Sequence, residues 1–283
     1  MIAPRDRMIR VGTMAGKKEK TAAYVRALIP LGFESFQLNF WQTLGDVDLK
    51  KLAEELVPVT KAADTIVSSL AVFGNPLGDK EVDEQTRQAW RDAIDAAPHF
   101  ECDLVCGFAG RVVGKPVPDS MPRFKEIWAP LVERAAAKGV RIAFENCPMG
   151  GHWYAGDWNI AFNPDAWELI FAAVPALNLG LEWEPCHQLS QLIDPIPQLR
   201  EWAPKVFHVH GKDASVYRDV IASQGICGPV PVSEHRHPGF GDTNWTDVIS
   251  ILRAVNYAGT IDIEGWHDPV YKGDLEMTGQ SMP

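Results

Sequence analysis

The feature that most constrains this chain is a rhythm. Eight short, apolar, β-rich runs recur along nearly its whole length, at residues 9–13, 35–39, 66–71, 104–108, 140–145, 177–184, 206–210 and 260–264. Between them, apolar residues return at three- and four-residue spacing. The clearest cases are 48–63 (Leu49, Leu52, Leu56, Val59) and 121–138 (Phe124, Ile127, Leu131, Ala135). Gly139 stands where a helix C-cap glycine belongs, just before a strand opens at Val140. Asn244 reads as the N-cap of a helix over 245–255, with Asp247 in its first turn.

Strands alternating with helices build a parallel sheet, and eight such units close a barrel. A doubly wound open sheet is the competing arrangement. It is disfavoured because no G-x-G-x-x-G or G-x-x-x-x-G-K-[ST] loop follows any strand. The expected fold is α/β, a single (β/α)8 TIM barrel spanning residues 1–283 as one domain. After Glu264 the chain holds Gly273 and two prolines before it ends, so the closing helix is expected to be short or absent.

Charge and cysteine content narrow the setting. With 27 basic against 37 acidic side chains, the net charge of −10 opposes a nucleic-acid or anionic-membrane coat. No stretch approaches the ~20 apolar residues of a membrane span. The N-terminal residues are charged where a secretory signal needs an apolar run. Five cysteines, odd in number and without a C-x-x-C pair, argue against a disulfide framework or a cysteine zinc site. The expected location is cytoplasmic. A deficient last helix would also give the barrel a reason to form a homo- or hetero-oligomer.

In a closed barrel, enzymatic groups collect at the carboxyl ends of the strands. Four late strands end in such groups: Glu145-Asn146; Glu182-Trp183-Glu184-Pro185-Cys186-His187; His208-Val209-His210-Gly211-Lys212-Asp213; and Asp262-Ile263-Glu264-Gly265-Trp266-His267-Asp268. Strand parity sorts their faces. Ala143 and Glu145 share one, Asp262 and Glu264 another, and His208 and His210 a third, each opposite apolar neighbours. If the apolar faces meet the outer helices, carboxylates and imidazoles converge inside the mouth. Crowded carboxylates repel and raise one another's pKa, and a divalent cation relieves that repulsion.

The ordered set Phe144-Glu145-Asn146, Glu184-Pro185-Cys186-His187, His208 to Asp213, Arg236 to Gly241 with Asn244-Trp245, and Tyr257 to Glu264 resembles the xylose isomerase-like superfamily of sugar isomerases and epimerases. That group includes ketose 3-epimerases and inosose-processing enzymes. The resemblance implies metal ligands at Glu145, Glu184, His210 and Glu264. One departure is that the family's usual Asp-Pro-x-His turn carries Glu184 here, one methylene longer, which makes Glu182 a competing ligand. Oxygen ligands with one imidazole suit Mn²⁺, with Co²⁺ or Mg²⁺ as alternatives.

On this reading the cofactor is a divalent metal and the substrate a small carbohydrate, a keto-sugar or keto-inositol. Glu145 and Glu264 would pass a proton between carbons through an enediolate, and His187 would bond a substrate oxygen. Arg236, on a long loop over 211–244, is a further substrate contact and the loop a candidate lid. Lys212 and His208 are weaker substrate-side candidates; a Lys212 salt bridge to Asp213 and an ordinary interior role for His208 are the plain alternatives.

Of ten tryptophans, Trp41, Trp153, Trp158, Trp183 and Trp266 sit at or just beyond strand ends. Trp41 and Trp266 are the expected substrate contacts, while Trp183 points outward by parity. Such a mouth also suits an aromatic leaving group. A lyase that cleaves 3-keto-glycosides, C-glycosides included, by β-elimination therefore stands beside the isomerase. A barrel nuclease would need a basic groove that this acidic chain lacks, and a sugar-binding barrel without turnover is the non-enzymatic option.

Overall fold

The computed structural model describes residues 9–16 and 20–270. In chain order it contains β1 (Arg10–Met14), α1 (Thr21–Leu28), β2 (Ser35–Trp41), α2 (Leu49–Ala62), β3 (Ile66–Phe73), α3 (Glu81–Ala96) and β4 (Leu104–Gly107). There follow α4 (Met121–Ala136), β5 (Arg141–Glu145), α5 (Pro164–Ala173), β6 (Leu179–Trp183), α6 (Pro185–Ser190), α7 (Pro195–Trp202) and β7 (Val206–Gly211). The last elements are β8 (Asp213–Val216), α8 (Arg218–Gln224), β9 (Ser233–Arg236), α9 (Trp245–Ala254) and β10 (Thr260–Ile263). Eight of the strands close a barrel in the order β1-β10-β7-β6-β5-β4-β3-β2, every neighbouring pair parallel. This is the (β/α)8 barrel that the strand rhythm predicts.

Local chemistry explains the element ends. Asp48, Asn163, Asp194 and Asn244 each cap a helix by accepting a hydrogen bond from a backbone N–H of its first turn. Gly139 takes φ +69°, the left-handed conformation that lets α4 stop and β5 start two residues later. The expected strand over 177–184 is shorter than its apolar run, because Leu177 is solvent-exposed and pairing begins at Leu179. Residues 211–244, expected as one long loop, instead carry β8, α8 and β9. The strands β8 and β9 pair antiparallel, Asp213 opposite Arg236.

The outward strand faces pack on the helices. Phe144 of β5 meets Trp128 of α4 edge-on at 4.5 Å between ring centroids, and Trp128 meets Trp90 of α3 at 4.7 Å. Trp90, Trp128, Trp167 and Trp183 are fully buried. Inward faces are polar: Ser35, Gln37, Ser69, Glu182, His208, His210 and Asp262 are all buried in the barrel. Gly12 is the close approach that this filling needs, since a Cβ there would lie 2.1 Å from the Ser35 hydroxyl and 2.3 Å from Asp262 Oδ1. Among the described residues, no helix is long and apolar enough to cross a membrane. Residues 264–270 form no helix, and the expectation of a short closing helix otherwise falls on 271–283, outside the described residues. The expectation about an N-terminal leader likewise falls mostly on 1–8, outside them.

Candidate active site

Each strand that feeds the mouth delivers its chemistry by the period-two rule. In β5 the apolar Ile142 and Phe144 face the helices, which turns Glu145 inward at the strand end. In β6, Trp183 faces out and donates its indole N–H to Gln198 of α7 at 3.0 Å, so Glu182 and Glu184 face in. Pro185 then opens α6 at its first position, and His187, one turn on, brings Nε2 to 3.0 Å from Glu184 Oε1. β7 contributes His208, His210 and, just beyond it, Lys212. Asn146 fastens the β5 and β6 ends together: its Nδ2 donates to the Glu184 carbonyl at 2.8 Å and its Oδ1 accepts from the Glu184 N–H at 2.7 Å.

The result is a compact cluster. One ligand atom from each of Glu145, Glu184, His210 and Glu264 lies within 4.8 Å of all the others, and all four side chains are buried. Glu184 Oε2 and Glu264 Oε2 are buried without a hydrogen bond, while Glu184 Oε1 meets the His187 ring. Ionised oxygens left unsatisfied inside a protein carry a large desolvation cost, so they call for a cation. Three carboxylates and one imidazole form a hard, oxygen-rich donor set that fits a divalent ion. These are the four ligand positions the sequence resemblance implies.

Lys212 lies in the same site, buried, with Nζ 2.7 Å from Glu264 Oε1, 3.7 Å from Glu184 Oε2 and 3.5 Å from His187 Nε2. It does not pair with Asp213, whose carboxylate accepts instead from the Gly239 and Thr243 N–H groups and the Trp245 indole. Burial pushes the Glu145 carboxyl up to about 8; the neighbouring Glu184 and Glu264 charges add to this, against the stabilising bond from His210. Burial would raise Glu184 too, but the His187 and Lys212 charges outweigh it and hold that carboxyl below its usual range.

Other expected residues fall differently. His208, expected on the substrate side, is enclosed below the cluster, with Nδ1 2.9 Å from Glu182 Oε1 and Nε2 2.8 Å from Asp262 Oδ2. Arg236 turns to Asp268, 3.1 Å from its Nε, and the residue beside it, His235, reaches the site instead. The His235 ring packs edge-on against His187 at 5.1 Å and against His267 at 5.3 Å. Burial first, then the Lys212 charge, pulls His235 down to about 3, so it meets the mouth as a neutral imidazole. Trp41 is 58% exposed at the end of β2, its ring 5.5 Å from Trp158, and Trp266 is half-buried beside His267. Glu182 is separated from the cluster by the His210 ring.

Sequence reasoning missed His235, Gln37 and Asn159. Asn159 donates to the Glu145 and Cys147 carbonyls at 2.8 Å each and so holds the end of β5. Gln37 had a usable signal: Ser35, Gln37 and Asn39 alternate with Phe36, Leu38 and Phe40, which marks an inward polar face. His235 had none, because its β-ribbon lies within a segment that reads as loop.

Comparison with known proteins agrees with the barrel fold. The chain is 23% identical over 274 residues to the uncharacterized protein YfiH of Bacillus subtilis, an alignment covering 83% of this chain and 84% of that one. It is 26% identical over 167 residues to an inosose dehydratase of Clostridium tetani, covering 57% and 55% of the two chains. Among solved structures, an L-ribulose 3-epimerase superposes with a TM-score of 0.65 at 18% identity, over 91% of this chain and 82% of the other. The IolI protein with a bound zinc atom superposes with a TM-score of 0.65 at 15% identity, over 94% and 92%. Residues 25–282 match the family described as xylose isomerase-like TIM barrel, and with the closed barrel in place the conclusion is direct: the chain belongs to that family.

Proposed function

We propose that this protein is a divalent-metal-dependent isomerase or epimerase of a keto-sugar or keto-inositol. The observation that carries the reading is the convergence of Glu145, Glu184, His210 and Glu264, with Glu184 Oε2 and Glu264 Oε2 buried and without a hydrogen bond. The relatives described as an L-ribulose 3-epimerase and an inosose dehydratase support a small carbohydrate substrate. The four residues would hold the ion, with Mn²⁺ favoured over Co²⁺ or Mg²⁺. When bound it would supply Lewis acidity toward a substrate carbonyl and its neighbouring hydroxyl.

The chain's own groups would then divide the work. Glu145 and Glu264 come from strands that are not neighbours in the barrel, so they reach a substrate from different sides. One would take the proton beside the carbonyl and the other return it through an enediolate. Burial raises the Glu145 carboxyl and ligation of the ion would lower it, so its strength as a base would be set by that competition. Lys212 and His187, 3.5 Å apart, would donate to a substrate hydroxyl or oxyanion, with neutral His235 behind them.

A second reading has its own observation. The paired Trp41 and Trp158 rings at the open edge of the mouth suit a flat aglycone, and proton abstraction beside a ketone can expel a β-substituent. The same residues would then act as a lyase on 3-keto-glycosides. The deciding experiment assays ketose interconversion and aglycone release from 3-keto-glycosides, with and without Mn²⁺, in wild type, Glu145→Gln and Glu264→Gln. Metal-dependent ketose turnover lost in both variants supports the isomerase; metal-dependent aglycone release alone supports the lyase. Full turnover in both variants would sink the role given to the two carboxylates.

A further inference from the structure

We infer that Glu182 and Gln37 are positioning residues for His210: they hold its Nε2–H toward the barrel interior, so that Nδ1 is the nitrogen presented to the carboxylate cluster. The inference rests on the metal reading above and assigns Glu182 a role other than ligand.

Hydrogen-bond inventory carries it. The Gln37 amide nitrogen donates to Ser69 Oγ at 2.8 Å and to Glu182 Oε1 at 2.5 Å, so both its hydrogens are used. What Gln37 turns to His210 is its carbonyl oxygen, 2.9 Å from Nε2. The other group at Nε2 is Glu182 Oε1, at 3.1 Å. Both are acceptors, so Nε2 must carry the hydrogen. The remaining nitrogen, Nδ1, lies 3.1 Å from Glu145 Oε1 and 3.5 Å from Glu264 Oε2, where a cation would take the place of a proton.

Glu182 is itself fixed from several strands. Its Oε1 gathers Gln37 of β2 and both histidines of β7, with His208 Nδ1 at 2.9 Å. His208 passes the anchoring on to Asp262 of β10, which also takes the hydroxyls of Ser35 and Ser68. Glu182 and Glu184 share the inward face of β6, but two residues of strand separate them by roughly 6–7 Å. Glu182 therefore sits one layer down, below the His210 ring. A carboxylate behind a ligating imidazole fixes the ring and raises the basicity of the nitrogen facing the metal.

The test uses the full chain and metal alone. Mn²⁺ affinity is measured by titration calorimetry for wild type, Glu182→Gln and Gln37→Leu. Zinc-loaded protein labelled with ¹⁵N-histidine reports which His210 nitrogen carries metal and whether Nε2–H is protected from exchange. The expected result is Mn²⁺ affinity about 10–100-fold weaker in each variant, with zinc on Nδ1 and a protected Nε2–H in wild type that shifts or exchanges in the variants. A merely structural role would lower the melting temperature and leave that resonance unmoved. Should Glu182→Gln fail to fold, Gln37→Leu still tests the inference, because it reaches the same nitrogen from β2. Folded variants binding Mn²⁺ within about twofold of wild type with the resonance unchanged, or zinc on Nε2, overturn the inference alone. A wild type that takes up neither metal overturns the metal reading with it.

Discussion

Loading the cluster with a divalent ion should release protons, and Glu145 should account for one of them. Its carboxyl is raised to about 8 by burial and by the Glu184 and Glu264 charges, so near pH 7 about nine molecules in ten carry a proton there. A cation must expel that proton to use the oxygen, at a cost of about 1.4 kcal/mol at pH 7, or about a tenfold loss of affinity relative to pH well above 8. The sign follows directly. The proton competes with the metal below the raised pKa, so affinity rises with pH up to about 8 and the Glu145 contribution then flattens. His210, whose pKa the Glu182 and Glu145 charges raise against its burial, adds its own release. Glu145→Gln keeps the Glu182 part of that release and loses the Glu145 part, so the change at His210 adds to the lost Glu145 proton instead of cancelling it. Mn²⁺ calorimetry at pH 7 in two buffers of different ionisation enthalpy counts the protons, and wild type should release at least about 0.9 more than the variant. Equal counts in the two proteins would refute the assignment of a protonated Glu145.

Three further outcomes follow from particular contacts. Asn146→Ala breaks the reciprocal clamp between the β5 and β6 ends and leaves the buried Glu184 N–H unpaired; urea unfolding should show a loss of about 1–3 kcal/mol. Trp90→Ala removes a fully buried indole packed against the Trp128 and Phe144 rings and should cost about 3–5 kcal/mol in the same assay, with no change in proton release on Mn²⁺ binding. Trp41→Ala, at 58% exposure, should change stability by less than about 0.5 kcal/mol. If the aromatic rim binds substrate, the same variant should raise KM for an aryl 3-keto-glycoside more than for a free ketose; equal shifts would remove the argument for the lyase.

Much of the molecule was legible one residue at a time. Apolar periodicity marks each barrel strand to within a few residues, because the pleat and the helical turn impose their spacings locally. Asn244, Asp247 and Gly139 announce element ends for the same reason: caps and left-handed turns are decided by near neighbours. Strand parity likewise turns Glu145, His210 and Glu264 inward, since successive side chains must alternate.

What the tertiary structure decided depends on contacts between strands far apart in sequence. Glu182 and Glu184 are alike in type and parity. Only the closing of β2, β7 and β10 around them separates a carboxylate whose Oε1 meets His208 and His210 from one that lies in the cluster beside Glu145 and Glu264. His208 and His210 are divided in the same way, the first enclosed between Glu182 and Asp262, the second opening onto the mouth. Lys212 could equally have faced solvent until the ring of strands placed it between Glu264 and His187. His235 joined the site because β8 and β9 pair within an apparent loop. Local spacing determined which residues face inward; the depth at which each comes to rest, and beside which charge, is a property of the closed barrel.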